Sequence, residues 1–294
     1  MKSQRLRKAS GQIFLNIFFI ILSLFYILPI ILLVSVSFEG ATNPNFSLFP
    51  SQFSTQAYEL IFKNSQRIVD AFGVTIFYSI TSVALSLLVM VMLAYALSRR
   101  YFGLRNALSF LLFFTTLFNG GLIGSYIINA SVLHLNNTIW IYILPGVVNA
   151  WNVIVIRTYM QGLPEEMFEA ARIDGASEFR ICFNIVLPLS TPVLASVGFL
   201  RFIDAWNDWY TSQIYIRNPK LVSVQYLLKQ ILDSIEAMKQ MMENGIGEVT
   251  AQQLGNMEAM RFAMAVIVAV PVLFVFPFFQ KYFSKGMTIG AVKG

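Results

Sequence analysis

Residues 162–188 read Gly162-Leu-Pro-Glu-Glu-Met-Phe-Glu-Ala-Ala-Arg-Ile-Asp-Gly175, then Ala-Ser-Glu-Phe-Arg-Ile-Cys-Phe-Asn-Ile185-Val-Leu-Pro188. This is the pattern of a short helix, a tight turn and a second helix. Pro164 suits the first helical position, where no intrahelical N–H is needed, and Glu165 and Glu166 complement the positive end of the helix dipole. Asp174-Gly175 supplies the turn, because glycine adopts a left-handed backbone without a Cβ penalty. Glu169, Ala170 and Ala171 fall mid-helix, and the two alanines offer a flat surface on which another body can rest. Pro188 marks the entry to the next apolar segment. On physics alone two readings fit: a helix lying on a bilayer surface, or a docking element for a partner.

The flanks of this stretch decide its setting. Of 294 residues, 56% are hydrophobic and only 12% are charged. Soluble domains carry about a quarter charged residues, so one water-facing surface cannot be built from this chain. Apolar runs long enough for about 20-residue crossings predict six spans, near 13–37, 72–98, 107–132, 139–160, 188–214 and 260–283. The first run is too long for the h-region of a signal peptide. Basic residues set the direction. Lys2, Arg5, Arg7 and Lys8, then Arg99, Arg100 and Arg105, then Lys281, Lys285 and Lys293 all fall on one side with the 161–187 loop. Both termini are therefore expected in the cytoplasm. The organisation expected is an N-terminal segment 1–12 and a single transmembrane domain 13–294. That domain has extracytoplasmic segments 39–70 and 216–259, the cytoplasmic loop 161–187 and a cytoplasmic tail 284–294. The net charge of +6 reflects this asymmetry and gives no soluble basic patch for nucleic acid. One cysteine, Cys182, and one histidine, His134, exclude a disulfide framework and most metal sites and catalytic triads.

Two extracytoplasmic segments stand out. Residues 39–70 are turn-rich before a short helical stretch near Tyr58 to Phe62. Residues 221–243 place Leu227, Leu228, Ile231, Leu232, Ile235 and Met238 at helical spacing, with Gly245 and Gly247 as terminators. Within the spans, polar groups are the functional candidates. Arg201, Asp204, Asp208 and Ser212 fall within about 80° of one another around a continuous helix, with Arg201 about 20 Å from Pro188. An internal Arg201–Asp204 pair and a substrate-facing stripe are both open. Trp206-Asn207-Asp208-Trp209 combines flat aromatic faces with hydroxyl-binding groups, as a glycan path needs; the same residues also suit an aromatic belt at the outer interface. Asn149, Trp151 and Asn152, just after Pro145-Gly146, are further cavity candidates beside a possible helix break. Gly120 and Gly121 read as close-packing glycines.

Glu169-Ala-Ala, three residues, Gly175, nine residues, then Ile185-x-Leu187-Pro188 resembles the EAA motif of binding-protein-dependent ABC importer permeases. The tail Lys285-Gly-Met-Thr-Ile-Gly-Ala-Val-Lys-Gly294 is similar to that of carbohydrate-uptake permeases like the smaller membrane subunit of maltose systems. Phe46-Ser-Leu, Phe53-Ser-x-x-x-Tyr58 and Asn218-Pro-Lys-Leu resemble the branch handling oligosaccharides. Trp206-Asn207-Asp208 followed by Trp209 resembles the W-N-[D/E]-aromatic segment of sugar permeases.

The resemblance implies an all-α integral membrane protein with the type I ABC importer permease fold, in a bacterial inner membrane. Its function would be to translocate an oligosaccharide handed over by an extracytoplasmic solute-binding protein. Glu169, Ala170, Ala171 and Gly175 would couple it to an ATPase, with Arg172 and Asp174 flanking the interface. Gly290, Ala291, Val292, Lys293 and Gly294 would insert between ATPase subunits. The implied assembly adds a second, homologous permease and two ATPases. This chain has no G-x-x-x-x-G-K-[ST] sequence, so ATP and Mg belong to the partner ATPase, no cofactor is expected here, and the chain is not expected to be an enzyme. An ion-coupled secondary transporter is the alternative, but it should show inverted repeats and acids in earlier spans.

Overall fold

The computed structural model describes residues 2–39, 48–63, 65–245 and 250–291. It is helical throughout; among the described residues the β structure amounts to an isolated bridge between Glu39 and Phe53. In chain order the helices are α1 (Lys2–Ser37), α2 (Gln56–Lys63), α3 (Ser65–Ser98), α4 (Arg105–Leu117), α5 (Gly121–Val132), α6 (Ala150–Gln161), α7 (Glu165–Ile173), α8 (Glu178–Leu189), α9 (Thr191–Trp206), α10 (Tyr210–Tyr215), α11 (Val224–Glu243) and α12 (Ala251–Ala291).

Three uninterrupted stretches are long and apolar enough to cross a bilayer: Gln12–Ser37, Gln66–Ser98 and Gln253–Tyr282. A fourth is the pair α8 and α9, which meet at 80°. Pro188 and Pro192 explain this bend, since each removes a donor from the helical ladder where α8 gives way to α9. The expected spans 107–132 and 139–160 are not continuous helices. α4 stops at Leu117, Asn119 Oδ1 accepts the Gly121 N–H at 2.9 Å, and Gly121 takes φ +72° as α5 starts. A Cβ on Gly120 or Gly121 would meet nothing within 4 Å. Within this chain these glycines sit at a break between α4 and α5, and no described neighbour packs closely on either. In the next segment only Ile139–Tyr142 is helical, as a 3₁₀ turn, before α6 begins at Ala150. The 12 residues of α6 reach about 18 Å, short of a full crossing.

The chain folds as two compact units, one of residues up to 65 with 228–270, the other of 66–227 with 271 onward. In the first, the chain after α1 is fastened to it. Ser37 Oγ lies 2.8 Å from the Tyr58 hydroxyl, and the Phe38 ring stacks on Phe53 and Tyr58. The buried Glu39 carboxylate accepts the Ser51 N–H with both oxygens, at 3.1 and 2.9 Å. The predicted short helix is present as α2, which buries Ala57 and Ile61. The predicted amphipathic helix is present as α11. Gly245, at φ +64°, follows its end; Gly247 lies outside the described residues. Within this unit Lys239 pairs with Glu258 of α12 at 2.8 Å.

The second unit is organised on α3. Thr75, Ser79, Ser82 and Ser86 are fully buried along one side of it, small residues that permit close helix approach. A Cβ on Gly198 of α9 would stand 3.1 Å from Leu87, so α9 crosses α3 at van der Waals range. Tyr78 stacks on Tyr142 at 4.3 Å and donates to the Ala205 carbonyl at 3.0 Å. The Tyr142 hydroxyl donates to Leu221 O at 2.9 Å and lies 2.6 Å from Ser212 Oγ. Ser223 completes this buried knot by donating to Asp208 O at 2.7 Å. Tyr142→Phe leaves the part-buried Leu221 carbonyl without its donor, at a cost of about 1–3 kcal/mol, while the Ser212 hydroxyl keeps its bonds to Ser223. The expected result is a lower unfolding midpoint of the detergent-purified protein by differential scanning fluorimetry.

Candidate functional site

The loop quoted at the outset folds as a short helix, a turn and a second helix, with Pro164 at the N-cap of α7, one place before the helical position expected for it. α7 turns Phe168 and Ala171 inward, 1% and 8% exposed, and leaves Glu169 and Ala170 outward. The two alanines thus part company: Ala170 belongs to the free surface and Ala171 to the core. After α7 the Ala176 N–H bonds the Ala171 carbonyl and the Gly175 N–H bonds Arg172 O, both at 3.0 Å. With Gly175 at φ +76° this is a Schellman end. Ser177 then caps α8, its Oγ accepting the Arg180 N–H.

Behind the loop lie two anchors. Arg99, immediately past α3, is 4% exposed. Its guanidinium carbon lies 3.8 Å from the centre of the Phe168 ring, Nη1 is 3.4 Å from Glu165 Oε2, and Nη2 donates to Met160 O at 3.4 Å. A cation on an aromatic face, with water excluded, is worth up to about 2 kcal/mol. The second anchor is Arg172, which donates to Glu178 Oε1 at 3.0 Å and to the Tyr101 hydroxyl at 2.7 Å. Glu178 also accepts the Tyr95 hydroxyl of α3. Burial works against the Arg172 charge, but the bonds to Glu178 and Tyr101 outweigh it and hold its pKa above the ordinary arginine value. The Tyr101 phenol is pushed up, first by burial and then by Glu178. Arg172 therefore serves inside the loop, tying α7 to α8, as well as flanking its surface.

Glu169, Ala170, Asp174 and Gly175 are exposed, and Ile173 beside them is 86% exposed, with Phe179 also outward. A projecting isoleucine next to a charged turn is an apolar contact point that the motif does not contain. Arg99 was equally hidden from sequence reasoning, where it counted only as a basic loop residue. Of the tail residues, Gly290 and Ala291 are the last described positions of α12; Val292, Lys293 and Gly294 lie outside the described residues, as do Phe46 and Ser47.

The nine substrate-path candidates do not form one surface. Trp206 is 1% exposed, packed on Phe72 and Phe202. α9 ends there and α10 starts at Tyr210, so the continuous stripe expected through Asp208 and Ser212 is interrupted. Asp208 Oδ1 accepts the Thr211 N–H at 2.9 Å, capping α10, and Ser212 is buried in the knot. Asn149 Oδ1 caps α6 through the Asn152 N–H, and Asn152 is buried. Asn207 donates to Ile203 O and accepts from Gln225. Trp151, Asp204 and Trp209 are exposed. Among the described residues no ion pair joins Arg201 to Asp204.

Apolar spans, broken helices among them and a projecting two-helix loop define a membrane transport subunit. Residues 96–289 match the model of the binding-protein-dependent transport system inner membrane component family, and the chain belongs to that family: it is an inner-membrane permease subunit of an ABC importer, not an enzyme. Membership implies a partner ATPase and a solute-binding protein, and it sets aside the ion-coupled alternative. The chain is 35% identical over 281 residues to the polygalacturonan/rhamnogalacturonan transport system permease protein YtcP of Bacillus subtilis (strain 168), covering 94% of this chain and 96% of that one. It is 35% identical to Protein LplC of the same organism, covering 91% and 90%. The crystal structure of a bacterial ABC transporter involved in the import of the acidic polysaccharide alginate contains a similar chain. That match has TM-score 0.77 and 29% identity, and covers 96% of this chain and 98% of that one.

Proposed function

We propose that this permease translocates an oligosaccharide, in an assembly with a second, homologous permease, two ATPases and an extracytoplasmic binding protein. Relatives named for polygalacturonan, rhamnogalacturonan and alginate support the substrate class. The chain crosses the membrane six times, with 107–132 and 139–160 crossing as broken segments, and both termini lie in the cytoplasm with the 161–187 loop. The 39–70 and 216–259 segments face the binding protein. ATP and Mg are held by the ATPases, and the tail from Gly290 to Gly294 reaches between them.

The observation that carries this reading is the two-sided construction of α7. Its inner side is fixed to α3 through Arg99 and Phe168, while Glu169, Ala170, Asp174 and Gly175 stand free to meet an ATPase groove. A push on the free side is passed to α3, whose buried polar stripe lies in the spanning bundle. Trp151, Asp204, Asn207, Trp209 and Arg201 are the path residues that would meet sugar; the buried Trp206 and Asn152 support them from within, and Asn149 and Asp208 by capping the helices that carry them.

Glu169→Lys reverses the charge at the free face without touching the inner packing. The assembled complex is expected to lose at least about tenfold in both binding-protein-stimulated ATP hydrolysis and uptake, the size of roughly 1.4 kcal/mol of docking energy. Normal values for both in a complex of normal composition would refute the coupling role.

A further inference from the structure

Arg201 is a part-buried charge that no hydrogen bond or ion pair among the described residues meets, although the Asp204 and Asp208 carboxylates attract it from farther off. It is the one basic residue of the expected fifth span, 188–214. Its guanidinium rests on the backbone of Gly146: a Cβ there would stand 2.8 Å from Cζ, so any other residue at 146 displaces it. Ser86 Oγ holds that backbone in place by donating to Gly146 O at 3.3 Å. No hydrogen bond or ion pair links Arg201 to another described residue, and its Nε is buried without an acceptor. Asp204, one turn on, does not approach within the 4.0 Å of an ion pair, and Asp208 is engaged by the Thr211 N–H. A guanidinium stays protonated in proteins and presents five donors in a planar fork. Left unpaired in a membrane interior it is costly, so such a residue belongs to a binding site or a pairing elsewhere. It also lies beside the non-helical stretch around Pro145-Gly146, and discontinuous helices next to a charged group are how transporters build substrate sites.

We infer that Arg201 binds the carboxylate of an acidic, uronate-containing oligosaccharide as it passes, through paired N–H bonds to both oxygens, with Gly146 keeping the fork in place. This rests on the oligosaccharide reading above. The test uses the complete importer in proteoliposomes, supplied through its binding protein with trigalacturonate or its methyl ester, which keeps the sugar frame and removes the charge. In Arg201→Gln the ratio of acid to ester uptake is expected to fall about tenfold, and in Arg201→Lys less, because an ammonium keeps the charge but not the fork. Gly146→Ala, which keeps the charge and shifts it, is expected to lower the same ratio. An unchanged ratio in Arg201→Gln and Gly146→Ala overturns the inference, as does a wild type that moves the ester as well as the acid. Loss of the second permease on purification of Arg201→Gln would place the anion on that subunit, and also overturns it. A wild type that moves neither compound, nor any neutral oligosaccharide, rejects the oligosaccharide reading itself.

Discussion

Phe168→Ala is expected to disconnect the importer from its ATPases while the spans still insert. Phe168 is fully buried and carries the Arg99 guanidinium on its face. Truncating a buried phenylalanine costs about 3–5 kcal/mol, from lost burial and the cavity left behind. Here the loss also removes the aromatic floor from a buried cation, leaving Glu165, itself largely exposed, as its main counter-charge. The energy falls on one short helix, so α7 loses its fixed position relative to α3 rather than the whole bundle unfolding. Uptake and binding-protein-stimulated ATP hydrolysis should both fall more than about tenfold, with membrane levels near normal. Phe168→Leu, which refills most of the volume, should recover part of both. Equal activity in the alanine variant would show that α7 does not transmit force through this contact.

Gly175→Val is the second large effect expected. At φ +76° a β-branched residue is a genuine outlier, and the left-handed region costs L-residues about 1–2 kcal/mol before branching is counted. Space is not the obstacle, since a Cβ at Gly175 meets nothing within 4 Å; the strain is wholly in the backbone. The Schellman bonds from Gly175 and Ala176 would be lost, re-aiming Glu169 and Asp174. Coupled ATP hydrolysis is expected to drop severalfold or more. Gly175→Asn, which tolerates the left-handed region, should keep most of it. Equal damage from Asn and Val would point to a side-chain clash with a partner instead of backbone strain.

Local chemistry was the legible part of this chain. Pro164 and Asp174-Gly175 placed α7 to within one residue, with Pro164 at its N-cap, and its Schellman turn, because each acts through its own backbone; Pro188 marked the entry to the next segment but not the 80° bend that follows it. Helical spacing placed α11 and the short helix α2. What the sequence hid depends on distant neighbours. Arg99 looked like a topology marker, and only Phe168 and Glu165, more than sixty positions away, make it an anchor. Trp206 looked like a sugar platform but is enclosed by Phe72 and Phe202. Gly120 and Gly121 fit close packing as well as a break, and what marks the break is the end of α4, the Asn119 bond to the Gly121 N–H and the positive φ of Gly121. The even stripe from Arg201 to Ser212 assumed one helix, whereas the chain interrupts it after Trp206 and caps the next turn with Asp208.

The most direct test is uptake of a labelled oligosaccharide into proteoliposomes holding this chain with its second permease, two ATPases and binding protein. Accumulation should require ATP on the ATPase side, require the binding protein on the other, and stop when this chain is omitted or carries Glu169→Lys. Uptake driven by an ion gradient without ATP, or undiminished without this chain, would contradict the account.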